Sequence, residues 1–470
     1  MASVLLINPP ILKKDLYKGG AAVAQTKVEP LGIAYVAAVL EEAGHRARII
    51  DGIAEESSIE AISREAQHFD FVGTSACTAF AKRAYDAAKA IKEATGVEVI
   101  FGGPHATAIP SEVISQEFID YAVVGEGEYT ISELATALER KKPISKVKGL
   151  YYKKAGTTVF TGERPFLKNI DQIPMPARHL LPMHLYTGSE ARSRRLPSRS
   201  LITSRGCPFN CTFCDKHIFG RSFRAHSPER VMQEMELLVG KYKARDIGIW
   251  DDNFTVDKKR VLKICEMMKQ RNWDLTFSCE ARVDCIDEPV LRALKSAGCE
   301  YIAYGVESGS QRILDSIRKG FSKSKVRETF KVTQNVGIGI RGYFIVGLPG
   351  ETKHDIEQTI SFAKELNPTI ATFTFFTPWP GTDAYKQVVK SHELSKQSYW
   401  LEGVVPDFNF LEDPIYVPKR ITKKGLVELH KKAYMSFYLR PGYMMQRVLS
   451  IRHVEDIKMM AKGFLAIVKS

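Results

Sequence analysis

The chain has 470 residues, and its 67 Lys and Arg against 54 Asp and Glu give a formal net charge of +13. Hydrophobic residues make up 44% and charged residues 26%, which is ordinary for a globular protein and excludes collagen-like and low-complexity classes. No stretch approaches the roughly 20 apolar residues of a membrane-spanning helix, and the apolar run at residues 4–7 is too short for a signal peptide. We therefore expect a cytoplasmic protein of about three domains.

Residues 1–140 alternate short apolar runs with helical patterns. Strands are predicted at residues 4–7, 48–50, 71–75, 97–101 and 121–124. This alternation predicts an α/β fold with a doubly wound, Rossmann-like parallel sheet. Such a sheet binds ligands at the carboxyl ends of its strands. The loops there are rich in small residues, which let backbone amides approach a ligand closely. The sequence therefore predicts a ligand-binding N-terminal domain.

Residues 141–198 have the pattern of a linker. Ala155-Gly156 separates two short strand patterns, as in a hairpin. Four prolines between residues 174 and 197 then prevent long regular elements.

A second alternation of strand and helix covers residues 199–395. Strands are predicted at residues 201–204, 246–250, 275–278, 301–305, 339–346 and 370–376. Six strand–helix units predict a partial (β/α)6 barrel of the TIM type, whose chemistry belongs at the carboxyl ends of the strands.

The alternation stops after residue 395, and residues 396–470 are predicted to form a mostly helical, basic C-terminal region. Residues 415–470 hold 12 Lys or Arg against 3 acidic residues, so +9 of the net charge of +13 lies there. Basic residues interleaved with aromatic and Met side chains suit a peripheral contact with an anionic membrane surface. The alternative is a helical cap whose apolar face packs on the barrel.

Three of the eight cysteines form a tight cluster just after the first predicted barrel strand. Cys207, Cys211 and Cys214 have the spacing Cys-x3-Cys-x2-Cys. Thiolates are soft ligands that suit zinc or an iron–sulfur cluster. A structural zinc site needs a second Cys knuckle, and the cysteines that follow are at least six residues apart. A 4Fe–4S cluster with three thiolates would keep one iron open for a further ligand, so the cluster is favoured.

This motif, with the aromatic Phe213 before the last Cys, resembles the signature of radical S-adenosylmethionine enzymes. A doubly wound domain ahead of the barrel is similar to the cobalamin-binding subfamily of these enzymes, the class B methyltransferases. The resemblance covers the whole chain. It implies three cofactors, namely a 4Fe–4S cluster on the three cysteines, S-adenosylmethionine on the open iron, and cobalamin in the N-terminal domain.

The resemblance also implies which residues contact S-adenosylmethionine, because polar motifs fall at the ends of the barrel strands. These residues are Phe213, Asp252, Arg282, Glu307, Ser308, Gly347 and Pro378. The backbone at Phe213 would touch the adenine, Arg282 would lie near the methionine carboxylate, and Glu307 would accept hydrogen bonds from the ribose. Helix capping and turn formation are the alternative roles for such residues.

The corresponding loops of the N-terminal domain supply the predicted cobalamin site. Its residues are Pro9, Leu31, Gly32, Ser75, Thr78, Gly102, Gly103, His105, Gly125, Glu126, Gly127 and Glu128. The string Asp-x-His-x-x-Gly, whose His coordinates cobalt in mutases, does not occur in the N-terminal domain, residues 1–140; its one match, Asp215 to Gly220, directly follows the cysteine triplet. The resemblance therefore implies cobalamin without a protein base on cobalt. A domain that has lost cobalamin is the alternative.

The other cysteines differ in their expected roles. Cys265 shares a helix face with apolar residues and is predicted to be a small buried hydrophobe. Cys279 ends the third barrel strand, where its thiol would line the cavity and act as a catalytic hydrogen donor. Cys299 precedes a predicted strand and Cys285 lies in a loop, so an auxiliary cluster on these two residues is disfavoured.

The resemblance implies methyl transfer to an unactivated carbon, through a 5′-deoxyadenosyl radical and methylcobalamin. An oxidative cyclase or rearrangement enzyme with the same cofactors is the second hypothesis, and a non-enzymatic iron–sulfur or cobalamin sensor is the third. A methylthiotransferase is disfavoured, because the N-terminal domain holds only Cys77. The expected partners are a small-molecule or lipid-like substrate and a flavodoxin- or ferredoxin-type electron donor, without nucleic acid.

Overall fold

The computed structural model describes residues 1–11, 27–188, 193, 195–394, 396–403 and 414–449. Within these residues, no helix combines the length and the apolar character that crossing a bilayer requires.

The N-terminal domain is built on a seven-stranded sheet. Its strands are β1 (Ser3–Asn8), β2 (Arg46–Asp51), β3 (Phe71–Ser75), β4 (Glu98–Gly102), β5 (Tyr121–Val123), β6 (Leu150–Lys154) and β7 (Thr157–Phe160), in the spatial order 2-1-3-4-5-6-7. The helices are α1 (Leu31–Glu42), α2 (Ile59–Ala66), α3 (Ala81–Thr95), α4 (Pro104–Ala108), α5 (Pro110–Ser115) and α6 (Glu128–Glu139). The first five strands are parallel, so the predicted doubly wound sheet is confirmed. The strand order reverses between β1 and β3, where such sheets bind ligands.

The predicted hairpin forms, but it belongs to the N-terminal sheet rather than to a free linker. β6 pairs antiparallel with β5, and β7 pairs with β6. The pairing covers the backbone groups of β5, which would otherwise be an open sheet edge. The N-terminal layer therefore extends to Phe160 rather than ending near residue 140.

The second domain is the predicted partial barrel. Six parallel strands, β8 (Ser198–Leu201), β11 (Asp246–Ile249), β12 (Thr276–Ala281), β13 (Cys299–Glu307), β14 (Gly339–Val346) and β15 (Ile370–Phe375), lie side by side in chain order. A small ribbon, β9 (Ser204–Arg205) with β10 (Arg224–Ala225), stands apart from them. The helices are α7 (Pro228–Gly240), α8 (Lys258–Arg271), α9 (Glu288–Ser296), α10 (Gln311–Ser316), α11 (Lys323–Val336), α12 (Lys353–Leu366) and α13 (Asp383–Lys390).

The first barrel strand lies three residues earlier than predicted. The backbone N–H groups of Thr203 and Ser204 donate to the buried carboxylate of Asp251, at 2.6 and 3.1 Å. Both hydroxyl groups donate to the same carboxylate. The chain therefore leaves the sheet after Leu201 and turns into the loop that carries the cysteines.

The C-terminal region begins as a cap on the barrel. Helix α14 (Lys423–Tyr438) buries one face that includes Leu426, Ala433 and Phe437, and α15 (Pro441–Leu449) follows it. The helical-cap alternative therefore describes α14. The rest of the basic tail, residues 450–470, lies outside the described residues.

Candidate cofactor site

The three clustered cysteines lie in the loop between β9 and β10. Cys211 is buried and Cys207 is half-buried. Desolvation raises the pKa of Cys207, and it raises the pKa of Cys214 to about 12, with the charges of Asp252, Cys211 and Cys207 adding to the rise. The three thiols therefore influence one another electrostatically, although among the described residues their side chains are not arranged as a preformed metal-binding group, and a bound positive centre would favour their thiolate forms. Three such soft ligands fit an iron–sulfur cluster.

Residues 206–223, which carry the three cysteines and are called the cluster loop, contact the barrel wall on two sides. The backbone N–H of Thr212 donates to the carbonyl oxygen of Ile317 at 3.0 Å, between α10 and α11. On the other side lies Asp252, whose pKa is raised by burial and by the neighbouring charge of Asp251, although a hydrogen bond from the Gly206 backbone opposes the rise. The structure therefore brings the predicted Asp252 to the cysteine loop.

Arg282 also reaches the cluster loop, but its contacts differ from the predicted one. Its Nη1 lies 3.6 Å from the sulfur of Cys211. Its other nitrogens donate to the carboxylate of Asp284 and to the carbonyl oxygen of Lys319. The guanidinium is therefore held by protein groups, and it directly contacts the sulfur of Cys211, a predicted ligand of the cluster.

Glu307, the predicted ribose acceptor, ends β13 in a buried ion pair that the sequence did not reveal. Its Oε1 lies 2.7 Å from Nζ of Lys319, and both side chains are less than 10% exposed. Glu307 has φ of +67°, a left-handed conformation that is strained for a residue with a side chain, and β13 has an irregular register there. A strained backbone conformation persists only where surrounding contacts hold the residue in place. At Glu307, the ion pair with Lys319 holds the carboxylate in a fixed position.

Ser308, which is predicted to contact S-adenosylmethionine, makes its hydrogen bonds to protein groups. The side chain is fully buried, and its hydroxyl lies 3.1 Å from that of Thr359 on α12. The same oxygen accepts a hydrogen bond from the backbone N–H of Ser310 at 3.2 Å. The hydroxyl of Ser308 therefore joins β13 to α12, and a contact of this residue with S-adenosylmethionine stays a prediction.

The loop after β14, residues 347–350, is fixed by hydrogen bonds to Glu351. The buried carboxylate of Glu351 accepts hydrogen bonds from the backbone N–H groups of Gly347 and Leu348, at 2.6 and 3.0 Å. Burial raises the pKa of Glu351 to about 8, in spite of these bonds. Gly347 has φ of +85°, which an added side chain would strain. The backbone at the predicted adenine position is therefore fixed before any ligand binds.

The loop after β15 brings the two domains together. The carbonyl oxygen of Pro378 accepts a hydrogen bond from the hydroxyl of Tyr399 at 2.9 Å. Three residues later, a Cβ atom added at Gly381 would lie 2.8 Å from the ring of His217 in the cluster loop and 3.3 Å from Cβ of Ala108 on α4. The carboxyl end of β15, the cluster loop and the helix after β4 therefore meet at one point.

A second junction between the domains uses two predicted cobalamin residues. Glu126 pairs with Arg205 and with Arg224, at 2.8 Å each, and Glu128 pairs with Arg205 at 2.6 Å. The four side chains are at most 10% exposed. The structure thus gives both carboxylates a partner in the barrel domain, where they join the two domains, and their contact with cobalamin stays a prediction. Because 77 or more residues separate the partners, no sequence spacing could have revealed the pairs.

His105 is enclosed by protein groups. It is fully buried, and its ring nitrogens lie 3.0 Å from the hydroxyl of Tyr85 and 3.2 Å from that of Thr78. Burial lowers the pKa of His105 to about 4. The ring also meets the edge of Trp400 from the C-terminal region, with centroids 5.9 Å apart. His105 therefore packs against the C-terminal region, with Thr78 as one of its hydrogen-bond partners, and the contact of both residues with cobalamin stays a prediction.

The remaining predicted cobalamin positions lie together at the carboxyl edge of the N-terminal sheet. They are Pro9 after β1, Leu31 and Gly32 at the start of α1, Ser75 at the end of β3, Gly102 and Gly103 after β4, and Gly125 and Gly127 after β5. Gly103 has φ of +90°, and a Cβ atom there would lie 2.4 Å from Oγ of Ser75. The backbones of β3 and β4 therefore approach each other as closely as a glycine allows, and the absence of a side chain at Gly103 keeps this edge open to a large flat ligand.

Cys279 is not in the cavity. Along β12 the buried residues are Phe277, Cys279 and Ala281, which alternate with half-buried ones. The thiol of Cys279 interacts with Cys299, which raises its pKa well above the usual value, and the charge of Cys265 on α8 acts in the same direction. Cys279 therefore faces the helix layer, and its expected catalytic role is wrong because the side chain lies on the opposite face of the strand. Cys265 is buried at 1% exposure, as predicted.

Comparison with known proteins agrees with this site. The model of the Radical SAM superfamily matches residues 201–363, and the model of the B12 binding domain matches residues 17–135. An uncharacterized methyltransferase of Pyrococcus horikoshii is 36% identical over 469 residues, covering 99% of this chain and 98% of that protein. The anaerobic magnesium-protoporphyrin IX monomethyl ester cyclase of Rubrivivax gelatinosus is 27% identical over 459 residues, covering 94% and 78%.

Among solved structures, the radical S-adenosylmethionine methyltransferase TsrM of Kitasatospora setae, with cobalamin and a 4Fe–4S cluster bound, has a TM-score of 0.75 at 15% identity, covering 99% of both chains. This likeness shows that the two proteins share their fold. The domain matches imply a 4Fe–4S cluster, S-adenosylmethionine and cobalamin as the cofactors. By its two domain matches and its full-length relative, the chain belongs to the radical S-adenosylmethionine enzymes that carry a B12-binding domain.

Proposed function

We propose that the protein is a cobalamin-dependent radical S-adenosylmethionine methyltransferase that acts at an unactivated carbon of a small molecule. The observation that carries the proposal is the junction at Gly381, where the cluster loop, the end of β15 and the helix after β4 meet. The ligand-binding edge of the N-terminal sheet therefore faces the mouth of the barrel. A methyl carrier bound on one side and a radical source on the other would share a single cavity.

When bound, the three cofactors supply one electron, a 5′-deoxyadenosyl radical and a methyl group. The protein's own residues hold and orient them. Cys207, Cys211 and Cys214 would hold the cluster, and Glu307 would receive the ribose hydroxyls while Lys319 keeps its carboxylate in place. The backbone amides at Gly103 would support the corrin edge. The buried pairs of Glu126 and Glu128 with the barrel arginines would keep the domains together and water out.

The lining of the barrel supports a substrate with polar groups. On β12 and β14, the half-buried positions include Ser278, Glu280 and Tyr343. The hydroxyl of Tyr343 donates to Oε1 of Glu280 at 3.4 Å. A carboxylate and a phenol on the two strands that flank β13 can orient a small molecule by hydrogen bonds.

The test of the proposal is an anaerobic reconstitution with iron, sulfide and hydroxocobalamin, followed by assay with a chemical reductant and S-adenosylmethionine. The expected result is bound cobalt, about four iron atoms per chain and formation of 5′-deoxyadenosine. In extracts that contain the substrate, S-adenosylmethionine labelled on its methyl group should transfer the label to a small molecule. Protein that binds no cobalamin in any oxidation state would contradict methyl transfer.

An oxidative cyclase is the second candidate, because the Rubrivivax relative with that name covers 94% of this chain at 27% identity. Product mass distinguishes the two reactions. Methylation adds the labelled methyl group, whereas cyclisation removes two hydrogen atoms and transfers no label.

The partners belong to the same proposal. A flavodoxin- or ferredoxin-type protein would supply the electron, which can be tested by replacing the chemical reductant with a purified flavodoxin and its reductase.

The predicted membrane contact is supported by exposed side chains of Met435, Met444, Met445 and Leu449 on α14 and α15. Flotation with anionic vesicles, compared with neutral ones, tests it. Equal recovery with both vesicles would leave the tail without a charge-dependent membrane role.

A further inference from the structure

The side chain of Arg282 is fixed against the cluster loop. It is 6% exposed, and its Cζ lies 3.6 Å from the centre of the Phe209 ring, which belongs to the loop between Cys207 and Cys211. Phe321 approaches it at 5.2 Å. A guanidinium that stacks on an aromatic face at this distance has little freedom to move.

Four hydrogen bonds also fix the direction of its nitrogens. Nε and Nη2 donate to the two carboxylate oxygens of Asp284, at 3.0 and 2.9 Å, and Nη2 donates to the carbonyl oxygen of Lys319 at 2.6 Å. Nη1 donates to the sulfur of Cys211 at 3.6 Å. A guanidinium has five N–H groups, so four are committed to protein partners, and one of these is a cluster ligand.

This geometry affects the cluster more than it affects S-adenosylmethionine. Reduction adds one electron to the cluster, increases the negative charge on the ligand sulfurs and breaks no bond in the protein. A hydrogen bond to such a sulfur, donated by a cation, stabilises the reduced form and raises the reduction potential. Burial strengthens the effect, because the charge is not screened by water.

We propose that Arg282 is a positioning residue that sets the reduction potential of the cluster through its hydrogen bond to Cys211, rather than a ligand of the methionine carboxylate. The proposal rests on the cluster site of the proposed function and is independent of where the methyl group goes.

The carbonyl contact of Arg282 extends the arrangement to the ribose position. Lys319 accepts from Arg282 with its backbone oxygen and pairs with Glu307 through its Nζ. The cluster sulfur and the predicted ribose acceptor are therefore linked through two buried cations. Replacing Arg282 should change the cluster first, because its contact with the sulfur is direct.

The experiment compares Arg282→Gln, Arg282→Lys and wild type after anaerobic reconstitution, in the absence of S-adenosylmethionine. Dithionite supplies the electrons, and electron paramagnetic resonance measures the reduced cluster at a series of solution potentials. In Arg282→Gln, the ratio of reduced to oxidised cluster at a fixed potential should fall about tenfold, which is a shift of about 59 mV to more negative potential for one electron. Arg282→Lys keeps the positive charge but lacks the planar guanidinium, so its reduction potential should lie between those of Arg282→Gln and wild type.

Two further variants serve as controls. Arg318→Gln removes the same charge from the position next to Lys319, but its side chain is 55% exposed and pairs with Asp383, so the potential should stay at the wild-type value. Lys216→Met removes a cation whose charge acts on Cys214 and whose Nζ is buried with no hydrogen-bond partner among the described residues. Its shift should be smaller than that of Arg282→Gln, and an equal shift would overturn the role of the hydrogen bond.

The affinity for S-adenosylmethionine, measured by equilibrium dialysis on the same proteins, separates the two roles of Arg282. A wild-type potential in Arg282→Gln, together with a large loss of affinity, would overturn the proposal and restore the carboxylate contact. If Arg282→Gln assembles no cluster, the midpoint reduction potential of the cluster in Arg282→Lys is the deciding measurement. A wild-type midpoint potential in Arg282→Lys would overturn the proposal. Failure of the wild-type protein to assemble a cluster would instead contradict the proposed function.

Discussion

The hydroxyl of Tyr434 accepts a hydrogen bond from the backbone N–H of Phe373 at 3.1 Å and donates one to the carbonyl oxygen of the same residue at 2.9 Å. One turn later on α14, Tyr438 makes the same pair of bonds with Ala371, at 3.1 and 2.8 Å. Phe373 and Ala371 lie on β15, the edge strand of the barrel sheet. Two tyrosines thus take the place of a seventh strand and protect an edge that could otherwise pair with another chain.

Replacing Tyr434 by Phe should lower the free energy of unfolding by about 1–3 kcal/mol, because the buried N–H of Phe373 loses its partner and the carbonyl of Phe373 keeps only the bond to His430. Urea unfolding followed by fluorescence measures the loss. Tyr385→Phe is the matched control, since the Tyr385 hydroxyl makes an exposed bond to the carbonyl of Gln397, and its effect should stay within about 0.5 kcal/mol. Equal effects of the two substitutions would contradict the role assigned to Tyr434.

These edge contacts show where sequence patterns stop being informative. The strands themselves are predictable, because each is an apolar run that ends in small residues, and five parallel and six parallel strands form as expected. Tyr434 and Tyr438 are also predictable as one helix face. Their hydroxyl partners are backbone groups 61 and 67 residues away, which no local period can specify.

In the candidate site too, features that depend on local sequence are predictable and contacts between distant residues are not. The cysteine triplet is recognisable because its spacing is local, and Asp252 follows from its place at a strand end. Lys319 lies 12 residues after Glu307, and its role depends on the chain folding back from α10. Cys279 was misplaced for a simpler reason, since a strand has two faces and only the burial of its neighbours tells which one meets the cavity.

Replacing Cys207, Cys211 or Cys214 by Ala should abolish cluster assembly and the formation of 5′-deoxyadenosine, because each sulfur would hold one iron. Iron and sulfide analysis after reconstitution, with chromatographic detection of 5′-deoxyadenosine, measures both. Cys265→Ala is the matched control, since this thiol is buried in the core at 1% exposure and lies on α8. Wild-type iron content in any one of the three loop variants would remove that cysteine from the ligand set.

Bound cobalamin should carry no protein imidazole on cobalt. His105, the histidine nearest the predicted cobalamin loops, is fully buried and hydrogen-bonded to Tyr85 and Thr78. The electron paramagnetic resonance spectrum of the Co(II) form should therefore lack nitrogen splitting from an axial base. A splitting that disappears in His105→Gln would show that the histidine leaves its pocket to bind cobalt.

Stability should fall as the pH is lowered from 6.5 towards 4, in part because of His430. Burial lowers the pKa of His430 to about 4, although its bond to the carbonyl of Phe373 opposes the change. The ring stacks on Phe375 at 4.2 Å between centroids, and its Nδ1 is buried with no hydrogen-bond partner among the described residues. A proton on Nδ1 would therefore be buried without an acceptor.

The sign follows from proton linkage. Between pH 4 and 6.5 the unfolded chain binds a proton at His430 that the folded chain does not, so unfolding is favoured as the pH falls. The stabilisation is complete above pH 6.5 and is lost down to about pH 4, with a total of up to about 3 kcal/mol for this group.

In His430→Gln, this part of the pH dependence should disappear, so the stability difference from wild type should grow with pH. Urea unfolding at pH 5, 6 and 7 measures it, with His354→Gln on the exposed face of α12 as control. Parallel curves for wild type and His430→Gln would show that the buried ring does not control the acid sensitivity.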